Sequence, residues 1–401
     1  MIWTPQIQAF IDAHRDDDPA QLMLQAARYP DVDVRFAAEQ IAARKQIRMK
    51  LPEWYALPSL IMGGRVPAEQ CSSQQTAEYK RRLVVGNSLA DMTGGMGVDL
   101  YYMSKGLQKA IYVERQSHLC EAARHNFEAL HVDNVEIVEG DALSVAPSAD
   151  TIYLDPARRA MNGSRVYDLE DCEPNVVTLR EELLGRCCRL VVKISPMADL
   201  KRVLRQMPGI SEVHVVAVKG ECKELLLVLD SVDKQVLKGD VKIYCVEYKN
   251  ERMSEFTFSL EEEEQSVSSF ADSLCRYLYE PNVSIMKGGA FRCVGNRYEL
   301  KKIEVNSHLY TSDVLQEGFP GRIFEIDEVL PFSSKSLKTL KRSIPKANIT
   351  ARNFPLTADA LRVKTGIKDG GDIYLFATTL KGGESCLLRC HKTALTTNVC
   401  Q

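Results

Sequence analysis

A glycine-rich segment at residues 89–100 carries the residue types that bind a nucleotide-like ligand. It reads LADMTGGMGVDL, an apolar strand pattern that ends at Asp91 and is followed by Gly94, Gly95 and Gly97. Glycines tolerate positive φ and lack a Cβ, so the backbone can turn sharply and approach a bound molecule closely. The segment therefore predicts a strand, a tight turn and a ligand at that turn.

A second segment, TIYLDPARR at residues 151–159, places polar residues after another apolar strand pattern. Open α/β sheets bind their ligands at the carboxyl ends of the strands, so Asp155 and Pro156 are expected beside the glycine turn. The order and spacing of the two segments indicate a nucleotide-type cofactor, more specifically S-adenosylmethionine. A nicotinamide site is the alternative, but Gly95-x-Gly97 is followed by VDL and not by the third glycine of G-x-G-x-x-G.

Acidic residues end the next two predicted strands. Glu114 ends AIYVE, where an acid commonly binds ribose hydroxyls, and Asp141 in VEGDA is placed to meet the adenine amino group. The alternatives are a surface acid at Glu114 and an ordinary Gly-Asp turn at Asp141. The candidate cofactor-binding residues are Asp91, Thr93, Gly94, Gly95, Gly97, Glu114, Asp141 and Ala142.

The reacting end of the site is predicted at the DPARR run. This run resembles the D-P-P-x or N-P-P-x motif of methyltransferases that modify nucleobase nitrogens, in which a polar side chain and a carbonyl orient the target amine. Orientation of this kind supplies roughly 7–11 kcal/mol in favourable cases. Ala157 replaces the second proline, and Arg158 stands where an aromatic often stacks on the base.

A guanidinium can stack on a base or bind a phosphate, with a structural salt bridge as the alternative role. Lys193, at the end of a later strand pattern, can line the substrate mouth or lie at the surface. The candidate catalytic residues are Asp155, Pro156 and Arg158, and the candidate substrate-binding residues near them are Arg158, Arg159 and Lys193.

D-P-x-R also occurs in enzymes that methylate carbon 5 of uridine. Those enzymes need a cysteine nucleophile just after the fifth strand, because the pyrimidine carbon must first be activated by covalent addition. The corresponding stretch here is KISP at residues 193–196, which has no cysteine. Carbon-5 chemistry is therefore disfavoured.

Short apolar strands alternate with helices from about residue 86. Strands are predicted at 87–91, 110–114, 135–138, 151–155 and 189–195, with helices at 117–130 and 176–188 between them. This alternation predicts a parallel sheet covered on both faces. The strands SEVHVVAVKG and CKELLLVLD then follow too closely for a crossover, so they should form an antiparallel hairpin, which is typical of class I methyltransferases.

The regions on either side have other patterns. Helices are predicted for Pro5–Ala13, Pro19–Ala27 and Val32–Lys50, with Ser73 as the N-cap of a further helix; they cap the active site or only pack beside it. After residue 231, VKIYCVEY and FTFSLEEEE predict strands of a smaller antiparallel sheet or subdomain. The run Glu261–Glu264 is interpreted as a solvated surface turn.

Basic residues cluster between Ser333 and Lys368, where Asp359 is the one acid. The cluster consists of Lys335, Lys338, Lys341, Arg342, Lys346, Arg352, Arg362, Lys364 and Lys368. Such clustering is typical of phosphate binding, and a solvated face without a partner is the alternative. Phe354 and Tyr374 could stack on bases, but their apolar surroundings favour a core position.

Composition limits the class of protein. The chain has 401 residues, enough for two or three domains, and a net charge of −3, so a nucleic acid must bind a local patch. No apolar run approaches the roughly 18–20 residues of a membrane span, and the N-terminus lacks a signal-peptide pattern. The 12 cysteines are scattered, some within apolar patterns, which indicates free thiols in the cytoplasm. Cys386, Cys390 and His391 lack a fourth donor, so no metal is expected.

Four segments together resemble a bacterial group of class I methyltransferases with a C-terminal THUMP-like domain. They are DMTGGMGVDL, LDPARR, YEPNVSIMKGGAF and ARNFPLTADALRVKTGIKDGGDIYLFATTL. THUMP domains bind structured RNA, chiefly transfer RNA, so the resemblance implies an RNA substrate. It also implies a ferredoxin-like piece before the tail.

The expected fold is α/β, a Rossmann-like class I methyltransferase sheet with an N-terminal helical region and a C-terminal α+β region. The predicted segments are 1–80 helical, 81–232 methyltransferase, 233–276 β-rich connection, 277–320 ferredoxin-like and 321–401 THUMP-like. The expected function is S-adenosylmethionine-dependent methylation of a base nitrogen in tRNA or rRNA. Lys341, Arg342 and Arg352 are the candidate RNA contacts of the tail.

Two alternatives stay open. One is a small-molecule or protein methyltransferase with an incidental basic tail. The other is a non-catalytic RNA-binding protein on a methyltransferase fold, against which the acids at successive strand ends argue.

Overall fold

The computed structural model describes residues 3–158, 169–231 and 240–393. The chain divides into two compact units, Met1–Glu212 with Leu225–Gln235 and Val213–Glu224 with Val236–Gln401. The finer division into five segments stays a prediction.

Helices, four of which have side-chain N-caps, form the beginning of the first unit. They are α1 (Pro5–Ala13), α2 (Pro19–Leu24), a 3₁₀ turn (Ala26–Arg28), α3 (Val34–Ile47), α4 (Pro52–Tyr55), α5 (Arg65–Gln70) and α6 (Gln74–Arg81). Thr4, Asp18, Asp33 and Ser73 accept backbone N–H bonds at the starts of α1, α2, α3 and α6. Helix α4 was not among the predicted helices, although Pro52 lies in its first turn, where proline is favourable.

Strands and helices then alternate as predicted. The elements are β1 (Ser88–Asp91), α7 (Val98–Met103), β2 (Lys109–Glu114), α8 (Ser117–Ala129), β3 (Val135–Glu139), α9 (Ala142–Val145), β4 (Thr151–Leu154), β5 (Ala157–Arg158), a 3₁₀ turn (Leu169–Asp171), β6 (Cys172–Glu173), α10 (Val176–Leu184), β7 (Arg189–Ile194), α11 (Leu200–Gln206), β8 (Ile210–Val218) and β9 (Glu221–Asp230).

The strand order β9-β7-β4-β1-β2-β3 confirms the class I methyltransferase sheet. Strands β7, β4, β1, β2 and β3 pair in parallel, and β9 pairs antiparallel with β7. The tight turn Lys219-Gly220, with both φ angles positive, connects β8 to β9 as a hairpin. Because the parallel strands run in one direction, Asp91, Glu114 and Asp155 come to the same edge of the sheet.

The second unit contains the elements from β10 onward, and a separate seven-stranded sheet is part of it. Its elements are β10 (Lys242–Lys249), β11 (Arg252–Ser259), α12 (Leu260–Gln265), β12 (Tyr277–Pro281), α13 (Val283–Gly288), α14 (Cys293–Arg297), β13 (Lys301–Lys302), β14 (Tyr310–Ser312), β15 (Gly321–Pro331), α15 (Ser334–Ser343), β16 (Asn348–Arg352), α16 (Ala358–Thr365), β17 (Ile373–Thr379) and β18 (Ser385–Lys392). Strands β12 to β18 form this sheet in the order β13-β14-β12-β15-β18-β17-β16. Strands β10 and β11 pair with each other and extend the hairpin strand β8, so they do not form the small separate sheet that was expected.

Two apolar clusters pack in the seven-stranded sheet region. One, around Leu340, Leu361 and Leu375, joins α15 and α16 to the strands and includes Phe354 at its margin. The other contains Phe324, Phe376 and the two cysteines of β18, with Tyr374 beside them. Both aromatics therefore pack against core residues.

The three potential metal ligands of β18 do not come together. Cys386 and Cys390 are buried in the core, whereas His391 is half exposed and its Nδ1 lies 2.7 Å from Asp327 Oδ1. Among the residues that the structure describes, no group of three His, Cys, Asp or Glu side chains has a metal-binding arrangement. No helix in the described ranges is long and apolar enough to cross a membrane.

The run Glu261–Glu264 lies in helix α12, so the expectation of a solvated turn was wrong. The Glu263 carboxylate accepts backbone N–H bonds of 2.9–3.0 Å from Phe291, Arg292 and Cys293, at the start of α14. Glu262 forms a bidentate ion pair with Arg297 of the same helix. The acidic run thus caps α14, since a negative charge at a helix N-terminus satisfies unpaired N–H groups.

We predict that Glu263→Gln lowers the local stability of α14 by about 1–2 kcal/mol, because a neutral amide accepts these N–H bonds less strongly. Native-state hydrogen exchange of the amides of Phe291 and Cys293 measures the change. Glu264→Gln is the control, since its side chain is exposed in the same helix. Equal exchange rates in both variants would contradict the capping role.

Candidate cofactor and acceptor site

A cavity of about 500 Å³ lies in the first unit at the carboxyl ends of the parallel strands. It brings together most of the predicted cofactor residues and the first residue of the Asp-Pro run. Those that line it are Asp91, Thr93, Gly94, Gly95, Glu114, Asp141, Ala142 and Asp155. The volume is in the range of small-molecule and cofactor sites.

The three glycines of the turn have different roles. A Cβ on Gly94 would lie 2.3 Å from the Tyr112 ring, and one on Gly97 would lie 2.9 Å from Phe127, so both allow close packing below the turn. Gly95 has a φ of +53°, and a Cβ there would be only in ordinary van der Waals contact, 3.7 Å from the Thr93 carbonyl oxygen. Gly97 does not line the cavity; it begins α7 in a left-handed conformation.

Glu114 holds the glycine turn in place. Its Oε2 accepts the Gly95 N–H at 3.0 Å, and its Oε1 accepts the Gln116 N–H at 2.9 Å. The Tyr112 hydroxyl donates to the Gly95 carbonyl at 2.6 Å. Peptide Gly95 is therefore fixed on both sides, with the carboxylate on the cavity wall.

Asp141 is the N-cap of α9. Its Oδ1 accepts the N–H groups of Leu143 and Ser144 at 3.0 and 3.3 Å. The next residue but one, Leu143, is a half-exposed apolar side chain that also lines the cavity. Leu143 was not predicted from the sequence. An apolar residue just after a strand-end acid can pack against the face of an aromatic ring, so the sequence did carry a signal for it.

One threonine hydroxyl connects the glycine turn to the Asp-Pro run. Thr93 Oγ1 accepts the Asp155 N–H at 2.7 Å and donates to Asp91 Oδ1 at 3.3 Å. Asp91 Oδ1 also accepts the Thr93 N–H at 2.9 Å. The ends of β1 and β4 are thereby held together at the cavity.

Lys193 does not line the cavity as a free cation but forms an ion pair beside it. Its ammonium donates to Asp155 Oδ2, and its side chain is largely buried at the end of β7. The contact places Lys193 next to the predicted acceptor site through Asp155. Sequence reasoning placed it correctly at a strand end but did not foresee the carboxylate partner.

The rest of the DPARR run is less exposed to the cavity. Pro156 is buried and does not line it, whereas Ala157 does. The Arg158 backbone pairs with Cys172 in the short β5–β6 ladder. The Arg158 side chain and all of Arg159 lie outside the described residues, so their predicted roles stay predictions.

A buried ion pair that the sequence did not reveal lies at the same end. Lys80, fully buried in α6, donates to Asp99 Oδ1 at 3.1 Å and to Ser72 Oγ at 2.8 Å, and Tyr153 donates to Asp99 Oδ2 at 2.8 Å. Burial alone would raise the pKa of Asp99, but Lys80 and Lys193 lower it to about 2. Asp99 is therefore a fixed negative charge beside the cavity.

Two further segments complete the lining. Residues Pro67, Gln70, Cys71 and Ser72 come from the N-terminal helical region, and Glu173, Pro174, Asn175, Thr178 and Leu179 come from β6 and α10. From the sequence, the N-terminal helices could cap the active site or only pack beside it. Helix α5 and the two residues after it contribute to the cavity wall, whereas α1, α2 and α3 do not line it. Arg115 and Glu173, both on the wall, form an ion pair of 3.1 Å.

The basic cluster of the second unit divides into engaged and unengaged cations. Arg352 pairs at 3.1 Å with the buried carboxylate of Glu280, and Arg362 pairs with Asp359 and Asp369. The others are exposed and form no ion pair within the described part of the chain. These are Lys335, Lys338, Lys341, Arg342, Lys346, Lys364 and Lys368.

Burial raises the pKa of Asp91 to about 8, although hydrogen bonds from Thr93 oppose the increase. An aspartate in an unfolded chain has a pKa of about 3.9. Between these values the folded state holds a proton that the unfolded state has released, so stability falls as pH rises from about 4 to about 8.

We predict that Asp91→Asn removes this slope, because the amide cannot ionise. Relative to wild type, the variant should gain free energy of unfolding on the order of a few kcal/mol between pH 5 and pH 8. Urea unfolding at both pH values measures it, with the exposed Asp133→Asn as control. Parallel pH profiles for wild type and Asp91→Asn would contradict the prediction.

Comparison with known proteins agrees with this geometry. A family model described as THUMP domain-like matches residues 321–392, and one described as a ferredoxin-like domain matches residues 277–320. A solved structure from Porphyromonas gingivalis W83, described as a "putative methyltransferase", is 35% identical and covers 98% of this chain and 100% of its own, with a TM-score of 0.89.

Relatives from two Mycobacterium tuberculosis strains, CDC 1551 / Oshkosh and H37Rv, are described as uncharacterized S-adenosylmethionine-dependent methyltransferases. Each is 22% identical over 322 residues, which is 79% of this chain and 84% of the relative. Together with the sheet order and the cavity, these matches show that the chain belongs to a family of class I S-adenosylmethionine-dependent methyltransferases with a C-terminal THUMP-like domain.

Proposed function

We propose that this enzyme transfers the methyl group of S-adenosylmethionine to a nitrogen of a base in structured RNA, either tRNA or rRNA. One observation carries the proposal: a single cavity joins the strand-end acids Glu114 and Asp141 to Asp155 of the Asp-Pro run. Acids on adjacent strands suit a nucleoside-containing cofactor, and an aspartate followed by proline suits an amine acceptor.

Residues on the β2 and β3 side of the cavity are suited to the nucleoside part of the cofactor. Glu114 accepts hydrogen bonds from the ribose hydroxyls, and Asp141 accepts one from the adenine amino group. Leu143 packs against the adenine face. Gly95 lines the cavity and has no side chain, which allows the backbone to approach the methionyl part, with Asp91 and Thr93 beside it.

Asp155 orients the acceptor. Lys193 holds Oδ2, so Oδ1 is the oxygen that accepts an N–H bond from the target amine and aligns the nitrogen lone pair with the methyl group. The lone pair forms the new N–C bond while the S–C bond breaks and its electrons return to sulfur. The methylated nitrogen then releases one proton to solvent. Fixed orientation provides the rate, since the displacement requires an in-line approach.

Nitrogen is favoured over carbon 5 as the acceptor atom. Cys71 lines the cavity, but burial raises the pKa of its thiol and its Sγ contacts the Ala68 carbonyl at 3.3 Å. A thiol in this state is a poor nucleophile, because the thiolate is the reactive form. The base therefore reacts through its own lone pair.

RNA is favoured as the substrate by the second unit. Residues 321–392 match a THUMP domain-like model, and α15 presents Lys335, Lys338, Lys341 and Arg342 to solvent. Exposed cations without carboxylate partners are available to phosphates. The described cysteines are free thiols, which agrees with our expectation that the enzyme acts in the cytoplasm.

Transfer of labelled methyl into total RNA tests the function. We predict that wild type labels RNA and that Asp155→Ala reduces transfer by about 100-fold or more, since the amine loses its orienting acceptor. The affinity for S-adenosylmethionine, measured by calorimetry, should change less than threefold. If the label enters protein or small molecules instead, RNA is not the substrate. If the wild-type protein binds the cofactor but transfers no methyl group, the result favours a binding protein over an enzyme.

A charge-removal variant tests the RNA-binding surface. We predict that Lys338→Gln, Lys341→Gln and Arg342→Gln together weaken RNA binding roughly 10–100-fold and reduce the salt slope by about 2–3, since each lost phosphate contact releases fewer counterions. The matched control replaces Lys242, Lys249 and Lys301, three exposed lysines of the same unit, by glutamine. Equal losses in both triple variants would show that net charge, not this face, determines binding.

A further inference from the structure

Helix α5 and the two residues after it form one wall of the cavity. Ser72 Oγ donates to Asp99 Oδ2 at 3.0 Å, and the same oxygen accepts from the hydroxyl of Tyr153, two residues before Asp155, at 2.8 Å. Strands β4 and β7 lie on the opposite side of β1 from β2 and β3. The wall is therefore connected through Ser72 and Asp99 to β4, the strand that precedes Asp155.

The chain before α5 is fixed by two buried side-chain amides. Gln40 of α3 accepts the Met62 N–H at 2.7 Å and donates to the Met62 carbonyl at 2.8 Å. Asn126 of α8 forms the same pair of bonds with Ile61, both at 2.7 Å. Each amide satisfies both backbone groups of one residue, so the segment is held between an N-terminal helix and a helix of the sheet domain.

The chain after the start of α5 is fixed as well. The Lys50 ammonium donates to the carbonyls of Ala68 and Glu69 at 3.3 and 2.7 Å, where a positive charge also complements the helix C-terminus. Ser72 is then bound by Lys80 and Asp99. Polar contacts thus anchor the chain both before and after helix α5.

Gly63 shows how closely this segment packs on the sheet domain. A Cβ at this position would lie 2.5 Å from Leu119 Cδ2 of α8, and Leu119 itself lines the cavity. The segment is therefore seated against α8 with no space for a side chain. A wall seated in this way presents its side chains to the cavity in a fixed position.

Gln70 is the polar group of the wall that the protein does not use. Its side chain is exposed and lines the cavity, and among the described residues it has no hydrogen-bond partner. Ser72 is bound to Asp99, and the Cys71 thiol contacts the Ala68 carbonyl. An amide offers a donor and an acceptor side by side, which matches the hydrogen-bonding edge of a nucleobase.

We propose that Gln70 is a specificity-determining residue that hydrogen-bonds the edge of the acceptor base while Asp155 orients the reacting nitrogen. This inference rests on the proposed function, because it assigns the wall to the same acceptor. The N-terminal helical region then serves as a substrate-reading wall. Its rigid anchoring lowers the entropy that is lost when the amide binds the base.

The test compares Gln70→Ala with Glu69→Ala, a matched change at an exposed residue of the same helix that does not line the cavity. Methyl transfer to total RNA from cells lacking the gene gives kcat/KM, and calorimetry gives the affinity for S-adenosylmethionine. We expect kcat/KM of Gln70→Ala to fall roughly 10–100-fold, as for the loss of a base-edge contact. Cofactor affinity should change less than twofold, and Glu69→Ala should match wild type in both measurements.

The outcomes separate this inference from the proposed function. Wild type that labels no RNA would refute the function itself. Wild type that labels RNA while Gln70→Ala remains within twofold of it would overturn the role of Gln70 alone. A parallel loss of kcat/KM and cofactor affinity in Gln70→Ala would also overturn it, because Gln70 would then contact the cofactor and not the base.

Discussion

The Thr93 hydroxyl is the contact on which the site depends, because it joins the two segments that carry the chemistry. It accepts the Asp155 N–H at 2.7 Å and donates to Asp91, so the turn after β1 and the run after β4 share one hydrogen-bond chain. Glu114 fixes the same turn from β2 through the Gly95 N–H. Adjacent parallel strands bring these residues to one edge, and the hydrogen bonds then set their separation within that edge.

Buried charge makes the N-terminal helices part of the catalytic unit. Lys80 is fully buried and is neutralised by Asp99, with Ser72 and Tyr153 completing the hydrogen bonds. Removing one partner of such a pair leaves an uncompensated charge and typically costs about 3–5 kcal/mol. Because Lys80 and Ser72 belong to the helical region and Asp99 and Tyr153 to the sheet domain, neither part is complete without the other. The wall that carries Gln70 is a consequence of this arrangement.

Carboxylates in the second unit determine which of its basic side chains remain available to bind phosphates. Glu280 is buried and binds both Arg322 and Arg352, and Asp359 and Asp369 bind Arg362. Arg322 and Arg352 stabilise the fold, since the buried carboxylate of Glu280 needs a charged partner. The lysines of α15 have no such partners within the described ranges, and their helix packs on the core through Leu340. The nucleic-acid surface proposed here is therefore smaller than the basic cluster in the sequence.

Local sequence patterns determined the parts of this protein that depend on neighbours along the chain. The alternating strands and helices, the hairpin, the helix cap at Ser73, and the strand-end positions of Asp91, Glu114 and Asp155 all follow from periodicity, glycine and capping chemistry. Helix α12 was missed because four consecutive glutamates resemble a solvated turn unless α14, which lies about 30 residues further along, is known to need a cap.

Tertiary structure alone decided which distant side chains meet. Nothing local to Lys193 indicates Asp155 as its partner, and nothing local to Gln40 or Asn126 indicates that their amides hold Met62 and Ile61. Three further features could not be inferred from local sequence either. They are the position of α5 at the cavity, the ion pair of Arg352 with Glu280 and the burial of Lys80. Such contacts join residues far apart in the chain, and their energies depend on burial and geometry that exist only after folding.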